Sequence, residues 1–347
     1  FFLKTQKNGY LSDMSYFRSR LAGTAYEQAY SQKLIKKLGR ARIKTEPISK
    51  KYLDIASSTQ KHLEDAAISL IKYAYNITKQ KNLCLAGGVA LNCSLNGKIA
   101  KLPFVNKLFI QPAASDRGLA LGSALYLSNE LGDKIQKIDH VFYGPKISKD
   151  MIKKDLELSG IKFKKINYPS ETAANLIADN KVIGWYQDRS EFGPRALGNR
   201  SILANPGNKK MKHIVNKKIK FREEFRPFAP SVLKEHYKGI FNLKDESPFM
   251  TIACDVDNKW KSKLPATTHV NGTARVQTVS KKFNSKYYNL LEKFYKNTGL
   301  PVVLNTSFNV RGQPIVEKPL EAVATFAGSG LDCVIVENYL LTKNNIK

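Results

Sequence analysis

Two strand–turn–helix units follow one another between residues 82 and 126, and this succession limits the fold more than any other feature of the chain. Asn82 to Ala86 reads as a short buried strand, Gly87-Gly88 as a turn, and Val89 to Ile99 as a helix. Lys107 to Ile110 then reads as a second strand, Pro112 to Asp116 as its turn, and Gly118 to Tyr126 as a helix of small residues. Strands that alternate with helices bury their apolar faces only by stacking in layers, so the expected architecture is α/β. Upstream, Ile55, Leu63, Ala67, Leu70, Ile71 and Ala74 recur at helical steps and predict a helix over Tyr52 to Thr78. Residues 1–50 read as irregular and basic. The segment 130–150, with Gly132-Asp133 and Tyr143-Gly144-Pro145, has linker composition. Beyond it, Val182 to Tyr186, Val302 to Leu304 and Val334 to Leu341 read as strands. The expected division is therefore one domain over residues 1–144 and another over 145–347.

Composition narrows the class. With 347 residues and 42% hydrophobic content, the chain can bury a sizeable core. No run approaches the ~20 apolar residues of a membrane span. The N-terminus lacks both an initiator Met and the pattern of a signal peptide, so the chain is expected to begin inside a longer protein. Cys84, Cys93, Cys254 and Cys333 form no CxxC pair and read as small buried hydrophobes in a reducing, cytoplasmic setting. The net charge of +28 comes from 57 Lys+Arg against 29 Asp+Glu. Because the lysines are spread along the chain with no arginine-rich arm, the charge reads as a solvated surface and argues against nucleic acid as a partner.

Arginine is used differently. Arg189, Arg195 and Arg200 lie within Gly184 to Leu203, among Gly193, Pro194 and Gly198. Lys220, Arg222 and Arg226 follow among Phe221, Phe225 and Phe228, and Arg275 comes just after Gly272-Thr273. A fourth segment, Leu304 to Pro314, places Asn305 and Ser307 after a strand. Guanidinium forks match phosphate and carboxylate geometry, and turns let backbone approach a ligand. The combination points to a polyanion site without a Walker loop or a GxGxxG loop. In the first half, Gly87-Gly88 joins strand to helix, and Asp116 stands at the next such turn as either an N-cap or a metal ligand.

Read together, these segments resemble the NodU/CmcH-type O-carbamoyltransferases, enzymes that decorate nodulation factors, cephalosporins and tobramycin-type aminoglycosides. Gly193-Pro-Arg-Ala-Leu-Gly-Asn-Arg-Ser201 is the most specific segment. The resemblance implies an actin-like (ASKHA) domain, here only partly present, followed by a YrdC-like α/β domain. In the YrdC-like domain, carbamoyl phosphate and ATP would give carbamoyl-adenylate, with Arg195, Lys220, Arg226, Arg275, Asn305 and Ser307 lining the site. In the actin-like domain, Gly87, Gly88 and Asn92 would contact the nucleotide. Asp116 would be one ligand of a divalent metal, iron in the family, with Mg accompanying ATP. The carbamoyl acceptor would be a small molecule bearing a hydroxyl.

Two departures stand out. The family's other metal ligands are histidines of the N-terminal half of the actin-like domain, and the five histidines here (His62, His140, His213, His236, His269) include no such pair. The transferase site is therefore expected to be incomplete in this chain. Asp188 and Asn271 stand where the family usually shows Gly and Asp, which alters a turn and removes an anion near Arg275. The alternatives from other classes are a tRNA threonylcarbamoylation-type enzyme and a non-catalytic basic protein that binds nucleic acid.

Overall fold

The computed structural model describes residues 2–18, 30–43 and 45–343. Parts of the N-terminal segment read as irregular (residues 1, 19–29 and 44) and the C-terminal residues 344–347 lie outside the described residues. The chain divides into two compact units, residues 1–83 with 101–108, and residues 84–100 with 109–347.

The first unit is built on a hairpin and a long helix. β1 (Leu3–Gln6) pairs antiparallel with β2 (Gly9–Ser12), α1 (Gln32–Leu38) follows, and α2 (Lys50–Thr78) runs for 29 residues. The hairpin lies on α2, where the Ser69 hydroxyl donates to the Gln6 carbonyl at 2.6 Å. The segment expected to be irregular thus contains a hairpin and a helix, the helix being the lysine-rich Gln-Lys-Leu-Ile-Lys-Lys-Leu.

The elements after α2 are β3 (Asn82–Leu85), α3 (Cys93–Ala100), β4 (Lys107–Ile110) and α4 (Leu119–Glu130). β3 and β4 form a two-stranded sheet. The helix expected over Val89 to Ile99 is broken: a 3₁₀ turn, Gly88–Leu91, precedes α3, and Asn92 caps α3 by accepting the Leu95 N–H at 3.0 Å.

The second unit centres on a mixed eight-stranded sheet. Its strands are β5 (Phe163–Lys165), β6 (Ile183–Tyr186), β7 (Arg200–Ala204), β8 (Ala229–Leu233), β11 (Gln277–Val279), β12 (Val302–Ser307), β13 (Cys333–Val336) and β14 (Tyr339–Thr342), in the order β11-β8-β12-β7-β6-β13-β14-β5. β9 (Ala253–Asp255) and β10 (Thr273–Arg275) pair separately as an antiparallel ribbon. Only β11–β8 and β6–β13 are parallel, so the sheet is mixed. The expected single strand Val334 to Leu341 is a hairpin of β13 and β14, turned at Glu337, whose φ of 49° no sequence rule for turns anticipates.

Alternation along the strands sets two apolar layers. Ile183, Trp185, Leu203 and Ile335 face α6 (Pro169–Ala178) and α9 (Ser285–Thr298). Tyr186, Ile202, Ala204, Val334 and Val336 face the other way, onto α5 (Lys149–Leu158), α7 (Met211–Val215) and α10 (Pro319–Ala327). A short helix, α8 (Asn258–Lys261), completes the set. Among the described residues no helix is long and apolar enough to cross a membrane.

Candidate functional site: a cation cluster on a braced loop

The loop between β6 and β7 carries Arg195, and buried polar groups fix its course. On one side, Glu191 Oε1 accepts the N–H groups of Leu197 (2.6 Å), Asn199 (2.8 Å) and Arg200 (3.3 Å). On the other, three side chains donate to its carbonyls: Asn305 Nδ2 to Ala196 O (3.3 Å), Gln277 Nε2 to Leu197 O (2.7 Å) and Trp185 Nε1 to Gly198 O (2.9 Å). Gly198 has φ 107°, and a Cβ there would fall 2.2 Å from the Tyr287 ring, so only glycine fits. Asn305, expected to line the nucleotide site, is 1% exposed, and its Nδ2 also meets Ser231 Oγ (3.1 Å) and Gln277 Oε1 (3.0 Å). Its place in the structure is beneath the loop.

Of the three arginines in this segment, two serve the scaffold. Arg200 is fully buried, stacks over the Tyr186 ring at 3.5 Å and donates to the carbonyls of Gln187 (2.7 Å) and Asp188 (3.1 Å). Arg189 Nε donates to Gly144 O at 2.7 Å. The expected three-arginine anion site in this segment loses Arg200, whose guanidinium backbone carbonyls already occupy, while Arg189 remains exposed with only its Nε–H given to the scaffold. Asp188 has φ 44°, a backbone favourable to glycine, and its carboxylate pairs with Lys286 at 2.9 Å.

Arg195 has a different setting. Burial, then repulsion from Arg275 and Arg117, pushes it down to about 10. Arg275 is pushed down by burial, and its Nε is buried without a hydrogen-bond partner. Arg222, stacked on Phe228 at 4.7 Å and bonded to Asn216 Oδ1 at 2.8 Å, is pushed down to about 10 by burial and by Arg226 and Arg275. Arg226 is exposed and pairs with Glu223 at 2.8 Å. Among the described residues, neither Arg195 nor Arg275 pairs with a carboxylate or donates to a protein oxygen. Half-buried guanidiniums that repel one another and lack a counter-ion hold their charge for an anion supplied from outside.

Lys220 ends a π-helical turn, Asn216–Lys220, and is buried. Its ammonium donates to the Ser307 carbonyl, to Asn309 O (2.9 Å) and to Asn309 Oδ1 (2.7 Å), with Ser307 Oγ at 3.2 Å. Burial and Arg222 push it down to about 7. Lys220 and Ser307, expected in one site, are thus brought together, through Asn309, which the sequence reading did not single out. Arg117 was also missed, being overshadowed by its acidic neighbour. The signal for both was available: each is polar and follows a strand at a turn.

The first-half turns belong to the same compact unit as this cluster. α3 packs against β9 so closely that a Cβ on Gly97 would meet Ala253 O at 1.9 Å, and Asn96 Nδ2 donates to Ala90 O and Thr251 O, each at 2.8 Å. Cys93, directly after Asn92, opens α3. Cys84 is exposed and Cys93 half-buried, which corrects the expectation that all four cysteines are buried; Cys254 and Cys333 are. Gly87 and Gly88 are exposed, with nothing within 4 Å of a Cβ at either. Asp116 is exposed in a 3₁₀ turn whose N-cap is Ser115. Among the described residues no group of three or more His, Cys, Asp or Glu is placed to hold a metal ion.

Comparison with known proteins bears on the whole chain. Family models for the carbamoyltransferase N-terminus and C-terminus match residues 2–125 and 174–343. The nodulation protein NolNO of Sinorhizobium fredii is 44% identical over 305 residues, covering 86% of this chain and 45% of that protein. NolO of Bradyrhizobium diazoefficiens is 41% identical over 306 residues, covering 86% and 56%. Among solved structures, full-length HypF in its phosphate- and nucleotide-bound form overlaps 54% of this chain and 23% of its own at 13% identity, with a TM-score of 0.35, a likeness too slight to argue from. The chain spans about half the length of the curated relatives it matches. With both models matched in chain order, and relatives above 40% identity over most of its length, the chain belongs to the carbamoyltransferase family.

Proposed function

We propose that this chain carries the adenylating site of an ATP-dependent O-carbamoyltransferase. In this reading, carbamoyl phosphate, ATP and water give carbamoyl-adenylate, pyrophosphate and phosphate, and the carbamoyl group then passes to a hydroxyl of a small metabolite or sugar. The observation that carries it is the pair Arg195 and Arg275, half-buried and without a counter-ion, beside Arg117, Arg222, Arg226 and Lys220. Such a cluster offsets the charge of two phosphorylated substrates and of the departing pyrophosphate, and so brings the acyl oxygen and the α-phosphorus into line. Arg195 and Arg275 hold phosphate oxygens, and Arg226 releases Glu223 to do the same. Lys220 draws the 307–309 loop toward the cluster and adds charge on taking up a proton. Residues 145–347 then correspond to the YrdC-like domain and residues 1–144 to the later part of the actin-like one. Gly87, Gly88 and Asn92 offer the nucleotide an open backbone edge. No step is assigned to a metal, because the described residues hold no group of three or more His, Cys, Asp or Glu around Asp116.

The test is carbamoyl-phosphate-dependent exchange of labelled pyrophosphate into ATP, compared between the chain and Arg195→Ala. Exchange by the chain, reduced about 10²–10³-fold in the variant, is the expected result. A folded chain that neither exchanges nor binds ATP sinks the reading. Adenylation that requires threonine and bicarbonate instead would move the function to tRNA threonylcarbamoylation.

A further inference from the structure

His269 stands at the edge of the cation cluster, and its hydrogen bonds settle which of its nitrogens is free. Asn271 Oδ1 accepts the Thr273 backbone N–H (3.2 Å), which fixes the orientation of that amide. The same oxygen accepts the Thr273 hydroxyl proton at 2.8 Å. A hydroxyl has one proton, so Thr273 Oγ1, 3.0 Å from His269 Nδ1, must accept from it. The imidazole therefore carries its proton on Nδ1, and Nε2 is a lone pair. No protein group meets Nε2 among the described residues. Imidazole geometry aims Nε2 away from Thr273. Thr273 and Arg275 are two residues apart on β10, so their side chains share one face of that strand, and the ring bonded to Thr273 lies on the face of Arg275. The charges that reach the ring are Arg275 on β10 and Lys212 on α7, both positive. With burial they push it down to about 4, so it stays neutral at physiological pH. A neutral acceptor among arginines is of no use to a phosphate, whose oxygens also only accept.

We propose that His269 sets ligand specificity: its Nε2 accepts a hydrogen bond from a neutral N–H or O–H borne by the anion that the cation cluster holds. This rests on the anion-site reading above and adds to it a requirement on the ligand. Phosphate alone does not satisfy the site; the ligand carries a donor next to its charge. Two donors meet the description, the amide of a carbamoyl phosphate and a ribose hydroxyl or base amino group of a nucleotide.

The test uses His269→Asn, whose amide keeps a bond to Thr273 but ends short of the Nε2 position, and His269→Gln, whose Oε1 restores an acceptor there. Exchange is measured with carbamoyl phosphate and with acetyl phosphate, which replaces the amide by a methyl group, and with ATP and 3′-deoxy-ATP. If the amide is the donor, wild type prefers carbamoyl phosphate and His269→Asn loses about 10–100-fold of that preference, with partial return in His269→Gln. If the nucleotide is the donor, the ATP preference falls instead. A chain that exchanges, while His269→Asn keeps both preferences and the same stability to denaturant, overturns the assignment of His269 and leaves the anion site standing. A wild-type chain that binds neither ATP nor carbamoyl phosphate overturns both.

Discussion

The backbone at 193–200 is gripped from both sides, whereas the turn at 86–92 is gripped only from its far end. In the first, a carboxylate gathers three N–H groups, three buried side chains gather three carbonyls, and Tyr287 presses on Gly198. In the second, Asn96 holds Ala90 O and Asn92 caps α3, but Gly87 and Gly88 face open space. Both regions are glycine-rich connections from a strand, yet glycine serves opposite ends. At Gly198 it lets the protein close on itself, and at Gly88 it leaves backbone uncovered for something else. The difference separates a loop that aims a side chain, Arg195, from a turn that offers its own peptide groups.

The comparison breaks most readily at Gly198. Gly198→Ala must move the Tyr287 ring, itself fully buried, and strain a positive φ; a loss of at least about 3 kcal/mol in denaturant unfolding is expected. Retention of stability would mean that the loop is not braced as described. Glu191→Ala leaves three N–H groups of the same loop without their acceptor, with an expected cost of about 2–3 kcal/mol and weaker exchange.

Lys220 gives a pH signature. Its folded value of about 7 lies below the ordinary 10.5, so between those values the unfolded chain binds more protons than the folded one. Stability therefore rises with pH across that window, with a contribution approaching about 1.4 kcal/mol per pH unit, and is flat below it. Unfolding at pH 7 and pH 9 measures the slope, which Lys220→Met should reduce. An anion at the cluster favours the charged lysine, so binding should take up a proton near neutral pH, visible as a buffer-dependent enthalpy. The smallest effect belongs to the open turn: Gly88→Ala should change stability by no more than about 0.5 kcal/mol. Weakened nucleotide binding in that otherwise stable variant would show that a ligand comes close to the turn.

What the chain's sequence made legible follows from how local each signal was. The helix expected over Tyr52 to Thr78, which forms over Lys50–Thr78, came from period alone, and the cations came from arginine's scarcity outside turns. Arg200 was misread because its partners are backbone carbonyls, which have no letter in a sequence. Asn305 was placed at the ligand because its neighbours Ser231 and Gln277 come from strands far along the chain. Glu337 hid a hairpin by adopting a backbone that glycine or asparagine would have announced.

The position of β12 has a consequence for the order in which the protein assembles. It lies between β7 (Arg200–Ala204) and β8 (Ala229–Leu233), although it begins only at Val302, and it brings both Asn305 under the arginine loop and Ser307 to the lysine. Until that strand has been synthesised and inserted, β7 and β8 have no shared neighbour, and the cations have no frame. A nascent chain ending before it carries Arg117, Arg195, Arg222, Arg226 and Arg275 but no site. Contacts of such separation close slowly. The capacity to bind the anion should therefore appear late in refolding, together with the sheet.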